Sequence, residues 1–188
     1  MAKGIDIKEL GQSLRTLTNL RSLHLADFDF VRVEKFVGGL LATLSLPSIT
    51  DFGLSEINIY ASDLQKFIAL HSDTIKTVVF NELNLTTPKK GAWSGLLNSL
   101  TQLKDVKLIH IHKPVQYYCS VRFEPEDICD PTFERYVDWY TQYDCGCDSC
   151  SDYASEDHHE VFGDYRLGMD VKKGDWTRGL KLMAAGVR

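Results

Sequence analysis

The chain has 188 residues, of which 44% are hydrophobic, and it carries a formal net charge of −5. This length and composition predict one compact domain, and the charge disfavours a general nucleic-acid binder, which needs a basic surface to neutralise phosphates. The N-terminal residues lack the apolar segment of a secretory signal, and no apolar run approaches the roughly 18 residues of a membrane span.

Helix and strand patterns alternate over the range 1–112. Apolar residues spaced at i, i+3 and i+4 predict helices within 5–17, 31–44, 61–71 and 91–100. Ser62 is the expected N-cap of the third helix. The pattern L-x-x-L-x-L occurs four times, starting at Leu20, Ile49, Ile75 and Leu103. The intervals between these starts are typical of leucine-rich repeats, in which each unit supplies one strand and one helix.

The predicted strands define a candidate contact surface. Each unit has an apolar helix face and an apolar strand face that it cannot bury alone, so neighbouring units must stack with parallel strands. Because side chains alternate along a strand, Leu23 and Leu25 should point inward while their neighbours face the open, concave side. The predicted partner-binding face comprises Ser22, His24 and Ala26, then Asp51, Gly53 and Ser55, then Thr77, Val79 and Asn81, then Asp105, Lys107 and Ile109.

The pattern changes near Pro114, and so does the charge, from a net +1 over 1–112 to −6 over 113–188. "YYCSVRF" predicts a strand, "PTFERYVDWYTQY" (131–143) a helix with Asp130 as its N-cap, and "GDWTRGLKLMAAG" a last helix. Residues 141–164 hold seven Asp or Glu and no Lys or Arg, which is typical of a solvated loop. The final unit of a stack needs its core edge covered. We therefore expect a cap that uses Trp139, Tyr140, Trp176, Leu180 and Met183.

The predicted fold class is α/β. Residues 1–112 should form a short leucine-rich-repeat solenoid of about four repeats, with parallel strands on the concave side and helices on the convex side. Residues 113–188 should form an irregular C-terminal cap that carries the acidic, cysteine-containing loop (141–164).

The repeats resemble the ribonuclease-inhibitor-like leucine-rich repeats of F-box proteins. Together with the ending "FGDYRLGMDVKKGDWTRGLKLM", the chain resembles fungal F-box-type leucine-rich-repeat proteins. That resemblance implies a ubiquitin-ligase subunit in which an F-box module recruits the ligase core and the repeats hold the substrate. No F-box is visible, since the sequence begins directly on a repeat helix. We therefore expect a C-terminal portion or an F-box-less relative.

Three of the five cysteines lie within "CGCDSC" (145–150). A structural zinc ion needs four soft or borderline ligands, and Cys145, Cys147 and Cys150 with His158 or His159 would supply them. The spacing C-x-C-x2-C-x7-H differs from common zinc fingers, and the Ser, Asp and Gly content favours the other interpretation, reduced thiols in a surface loop. We therefore expect no cofactor, with zinc as the alternative. The aspartates do not match a calcium-binding loop.

The sequence shows no catalytic motif, since it has no glycine-rich nucleotide loop, no P-loop and no G-x-S-x-G. We predict a non-catalytic module that binds another protein through its concave strands or through residues 113–165. The alternative is the substrate-receptor portion of an F-box ubiquitin ligase; further alternatives are a zinc-stapled binding domain and an enzyme. We expect a cytoplasmic location, with the nucleus as the alternative, and no binding to nucleic acid or membrane.

Overall fold

The computed structural model of the protein describes residues 7–26, 34–87, 91–116, 119–121, 123, 138–143, 161–167 and 175–187. The helices are α1 Ile7–Thr16, α2 Glu34–Leu41, α3 Ala61–Leu70, α4 Ala92–Leu100 and α5 Asp175–Ala185. The strands are β1 Ser22–Ala26, β2 Asp51–Ser55, β3 Asn58–Ile59, β4 Thr77–Asn81, β5 Asn84–Leu85, β6 Leu108–His112, β7 Val115–Gln116, β8 Cys119–Ser120, β9 Asp138–Tyr143 and β10 Val161–Leu167. The predicted α/β class, with parallel strands and helices, is confirmed. Within these ranges none of the helices has the length and apolar character needed to cross a membrane.

The larger sheet has the strand order β1-β2-β4-β6-β10-β9. Its first four strands are parallel, and one register row joins Leu23, Phe52, Val78 and Ile109. The members of this row recur at similar intervals along the chain, as expected when each unit contributes one strand. The first three strands lie where the apolar pattern predicts them.

The fourth parallel strand begins later than the pattern predicts. The predicted frame directs Val106 and Leu108 inward, whereas β6 directs Ile109 and Ile111 into the core, where both are fully buried. Two overlapping frames satisfy L-x-x-L-x-L here, one starting at Leu103 and the other at Val106. The later frame places β-branched isoleucines at both inward strand positions, and such residues pack well in sheets. The prediction that used the earlier frame is therefore wrong for this strand.

A second, smaller sheet, with the order β3-β5-β7-β8, is absent from the sequence prediction. A sharp turn leads into each of its first three strands, at Glu56, Glu82 and Lys113, whose φ angles are 55°, 50° and 47°. In this left-handed conformation the Glu56 N–H donates to the Asn81 carbonyl at 2.9 Å, and the Glu82 N–H donates to the His112 carbonyl at 2.8 Å. These bonds extend the strand pairing and offset a backbone strain of about 1–3 kcal/mol per turn residue.

The helices pack in chain order, each against the next, from α1 to α5. Aromatic rings join this layer to the inward side of the larger sheet. Phe67 of α3 lies 4.6 Å from Phe52 of β2, measured between ring centroids. Trp93 of α4 lies 6.4 Å from Phe80 of β4 and 5.5 Å from Phe123. Each such buried pair contributes about 0.5–1.5 kcal/mol beyond its area burial, so the core lies between the helices and this side of the sheet.

The two ends of α3 differ in their capping. At its start Tyr60, rather than the predicted Ser62, is the N-cap residue, and it makes no side-chain capping bond. At its end the buried His71 accepts the Leu46 N–H at Nε2 (2.9 Å) and donates from Nδ1 to the Phe67 carbonyl (2.8 Å). Burial lowers the pKa of His71 below its ordinary value of 6.5, and the bond to Phe67 opposes that shift. An uncharged ring therefore ties α3 to the segment that precedes β2.

Two antiparallel strands extend the larger sheet beyond β6, because β10 pairs with β6 on one side and with β9 on the other. The helix predicted over 131–143 is wrong for 138–143, which form β9, and residues 131–137 lie outside the described residues. The stretch D-W-Y-T-Q-Y is rich in aromatic and β-branched residues, and β10 supplies the hydrogen-bonding partners that a strand requires. Trp139 and Tyr140 lie on this strand.

The strands also shorten the predicted acidic loop. Within 141–164, the range 141–143 belongs to β9 and the range 161–164 to β10, while 144–160 lie outside the described residues. The strand predicted within "YYCSVRF" is confirmed at Cys119–Ser120.

The last predicted helix is confirmed as α5. It packs on α4 and buries Trp176, Leu180 and Met183, three of the side chains expected to cover the core edge.

Candidate protein-interaction face

The side of the larger sheet that faces away from the helices presents alternate residues of the four parallel strands, and we call it the outer face. On β1 the outward residues are exposed and the residues between them are buried. On β4 and β6 the outward residues are half-buried, again with buried residues between them. The outer face comprises Ser22, His24, Ala26, Asp51, Gly53, Ser55, Thr77, Val79, Asn81, Leu108, His110 and His112.

The predicted binding positions on the first three strands lie on the outer face: Ser22, His24, Ala26, Asp51, Gly53, Ser55, Thr77, Val79 and Asn81. Those on the fourth do not. Ile109 is fully buried, so its assignment to the open face is wrong, and Asp105 and Lys107 precede β6. Leu108, His110 and His112 take their places in the register. The signal that finds the two histidines is L-I-H-I-H, in which isoleucine and histidine alternate with the period of a strand.

His24 reaches across the outer face to the neighbouring strand. Its Nε2 lies 2.9 Å from the Ser55 hydroxyl oxygen, so the ring and the hydroxyl are hydrogen-bonded. Gly53 makes room for this ring, because a Cβ on residue 53 would lie 2.9 Å from Nε2, closer than side chains tolerate. The absence of a side chain on β2 therefore allows the imidazole to lie over that strand.

Two further imidazole rings lie on β6. His110 and His112 occupy the same side of the strand, with ring centroids 6.4 Å apart and ring planes inclined at 59°. In the sheet register, His112 is paired with Asn81 on one side and with Asp164 on the other. Val79, paired with His110, lies between the β6 histidines and the His24 side of the face. The outer face therefore carries imidazoles on both halves, separated by an aliphatic residue.

No protein-family model, curated protein or solved structure matches this chain. The chemistry of the outer face must therefore carry any argument about function. Its hydroxyls, its amide and its imidazoles donate or accept hydrogen bonds, and Val79 and Leu108 add small aliphatic surfaces. Asp51 is the one Asp or Glu among the twelve positions, and none of them is Lys or Arg.

Ion pairs lie at both ends of the four strands. Where the strands finish, Lys113 Nζ lies 3.1 Å from Glu82 Oε1, and where they begin, Lys104 Nζ lies 2.8 Å from Asp73 Oδ1. Such solvent-accessible pairs contribute about 0–1 kcal/mol each. On the face itself, the Thr50 hydroxyl donates to Asp51 Oδ2 at 2.6 Å and orients that carboxylate. Neither positive nor negative charge therefore dominates the described ends of the four strands or the outer face between them.

The predicted zinc ligands Cys145, Cys147, Cys150 and His158 lie outside the described residues. In the parts of the chain that the structure describes, no group of three or more His, Cys, Asp or Glu side chains is placed to hold a metal ion. Zinc binding by the cysteine cluster and its alternative, reduced thiols, both stay predictions.

Proposed function

We propose that the protein is a non-catalytic module that binds another protein through the outer face. The observation that carries this proposal is the alternation of buried and accessible residues along β1, β4 and β6, three of the four adjacent parallel strands. The inward residues complete the core with the helices, so the outward residues are available for contact. Strand pairing already fixes the backbone of these residues, so a partner does not have to order it on binding, which favours affinity.

We infer further that the strand units are leucine-rich repeats stacked in a short solenoid, with the outer face on its concave side. The parallel register, in which each strand pairs with the strand of the preceding unit, supports this. The interval from Val78 to Ile109 is slightly longer than is usual for such repeats, because the fourth strand uses the later frame. The resemblance to F-box-type leucine-rich-repeat proteins agrees with the same arrangement. Holding the substrate of a ubiquitin ligase is one form that such protein binding would take.

The size of the outer face limits the kind of partner. Four strands of five residues cover roughly 300 Å², from a strand spacing of about 4.8 Å and a rise of about 3.3 Å per residue. A standard interface buries about 800 Å² on each partner. The outer face alone therefore suits a short extended segment of a protein, and a larger partner must also contact neighbouring surfaces such as β9 and β10.

The chemistry of the face favours a polypeptide over a nucleic acid. Phosphate binding needs clustered Lys or Arg, and the outer face has neither. Thr77 and Asn81 flank Val79 on β4, so hydrogen-bonding groups lie beside an aliphatic surface at the centre of the face. A peptide backbone with small or polar side chains matches that mixture.

The test is affinity capture with the full chain from an extract of its native cells, followed by binding measurements with each purified partner. Val79→Arg combined with Asn81→Arg introduces bulk and charge at the centre of the outer face. Leu70→Arg, at a 58% exposed position on α3, is the matched control on the helix side. We expect the double variant to weaken binding by about tenfold or more, as for a central interface residue, and the control to bind normally.

Thermal melts must show that both variants are folded. If the double variant kept every specific partner at unchanged affinity, the outer face would not be the binding surface. If replacing 145–159 by a Gly-Ser linker abolished binding while the double variant did not, the contact would lie in the 113–165 segment instead.

A further inference from the structure

The polar side chains of the outer face differ in whether another group of the chain already interacts with them. Those with such a partner are His24, Ser55, Asp51, His110 and His112. Within the parts of the chain that the structure describes, three polar side chains of this face make no hydrogen bond: Ser22, Thr77 and Asn81. Two of these three lie on β4, one of the two central parallel strands.

The available groups of β4 lie at both ends of its outward side. Thr77 begins the strand, Asn81 ends it, and Val79 lies between them, with all three half-buried. We propose that an extended segment of the partner protein lies along β4. Its main chain is hydrogen-bonded to the Thr77 hydroxyl and the Asn81 amide, and one of its small aliphatic side chains packs on Val79. This inference rests on the proposed function, because it concerns the same outer face.

A partner that covers β4 must supply hydrogen bonds to it. Polar groups at a protein surface bond to water, and a partner that displaced this water without replacing its bonds would leave buried polar groups unsatisfied. The side-chain amide of Asn81 has N–H donors and a carbonyl acceptor, the same groups that a peptide unit carries. An extended segment likewise needs partners for its own N–H and C=O groups when it is buried. Asn81 and the main chain of such a segment therefore satisfy each other.

The positions of the two groups set the direction of the segment. Thr77 and Asn81 are four residues apart on one strand, so their Cα atoms lie about 13 Å apart at a rise of about 3.3 Å per residue. An extended segment has nearly the same rise, so two of its own groups, also four residues apart, match both side chains when it runs along β4. A segment that crossed the strands would instead lie over side chains that already have partners, such as His24 and Ser55.

The backbone of β4 is fixed at both positions before a partner binds. The Thr77 N–H donates to the Thr50 carbonyl at 3.0 Å, and the Asn81 carbonyl accepts from the Glu56 N–H at 2.9 Å. Strand pairing with β2 and β6 holds the residues between them. Binding therefore requires little ordering of this backbone, which favours affinity.

The probe for the test is a phage-displayed library of random dodecapeptides, selected on the full chain. The tightest peptide is synthesised, and its Kd is measured by fluorescence anisotropy. Thr77→Val and Asn81→Leu remove the hydrogen-bonding groups at nearly constant side-chain volume, and we expect each to weaken binding by about three- to tenfold. Asn98→Leu, at an exposed position on α4, is the matched control on the helix side and should bind the peptide like the native chain.

Replacing one peptide bond of the probe at a time by an ester tests whether its main chain is recognised. Each ester removes a single N–H from the peptide. At one position we expect the ester to weaken binding to the native chain by about three- to tenfold, but to leave binding to Asn81→Leu unchanged. Thermal melts must show that all variants are folded.

Three results would overturn the inference. The first is that no library peptide binds more tightly than about 1 mM. The second is that Asn81→Leu binds the selected peptide as tightly as the native chain does, and the third is that every ester affects the two chains equally. The proposed function fails differently, because Val79→Arg with Asn81→Arg would then keep every captured partner. Loss of those partners by that double variant, with unchanged binding by Asn81→Leu, would retain the outer face and remove the hydrogen bonds to β4.

Discussion

Replacing His71 by leucine should lower the free energy of unfolding by about 1–3 kcal/mol, because it leaves the buried Leu46 N–H without an acceptor. For a chain of 188 residues, each kcal/mol corresponds to about 2–4 °C in Tm, so the Tm should fall by about 2–12 °C. His71→Gln is the matched control, since its amide oxygen can still accept a hydrogen bond. Both variants lose the ring contact with Phe67, whose centroid lies 4.3 Å away. The difference between them therefore reports the side-chain hydrogen bonding of residue 71, chiefly the bond from Leu46.

The same ring gives the fold a pH dependence of predictable sign. Burial lowers the pKa of His71 in the folded chain below 6.5, so the unfolded chain takes up a proton at a higher pH than the folded chain does. Stability that is present above pH 6.5 is therefore lost as the pH falls. The extra loss in the native sequence, relative to His71→Gln, is at most about 1.4 kcal/mol per pH unit. Urea unfolding from about pH 8 to about pH 5 measures it. Equal stability of the Leu and Gln variants, with one pH profile shared by all three chains, would refute this account of His71.

Three further outcomes can be measured on the same preparation. Trp93 is fully buried and its indole N–H donates to the Val115 carbonyl at 2.8 Å. Urea unfolding should therefore show a loss of unfolding free energy of about 1–2 kcal/mol for Trp93→Phe and about 3–5 kcal/mol for Trp93→Ala. Equal losses for the two variants would contradict this. Gly91 has a φ of 84° and open space around its Cβ position, so Gly91→Ala should cost about 1 kcal/mol through backbone strain alone, and an unchanged Tm would show otherwise. The clustered thiols in 145–150 should react with a disulfide reagent at the rate of free cysteine; acceleration only after a chelator is added would instead indicate bound metal.

The sequence predicts an element correctly where the spacing of apolar residues within one segment decides which side of that element is buried. The spacing of apolar residues identifies the helices, because one side of each helix must face the sheet, and α3 lies within its predicted range. The fourth strand is misplaced because two overlapping frames both satisfy the pattern. The choice between them depends on pairing with β4, which belongs to the preceding unit of the chain.

Pairing between distant segments explains the other differences between the predicted and the observed structure. The stretch that forms β9 has apolar residues at helical spacing, and only its partner β10 makes a strand the better solution. On the outer face, alternation predicts the outward positions of three strands. The contact of His24 with Ser55 depends instead on the lateral register and on the missing side chain of Gly53, which no pattern within one strand reveals.

The position of β10 between β6 and β9 has a consequence for the order of assembly. His112 and its partner Asp164 are much farther apart along the chain than the paired residues of neighbouring parallel strands. Loop-closure entropy rises with chain separation, so we expect the parallel strands to associate first and the β9–β10 pair to dock on them afterwards. Once docked, β10 occupies the edge of β6, and the series of parallel strands cannot lengthen there.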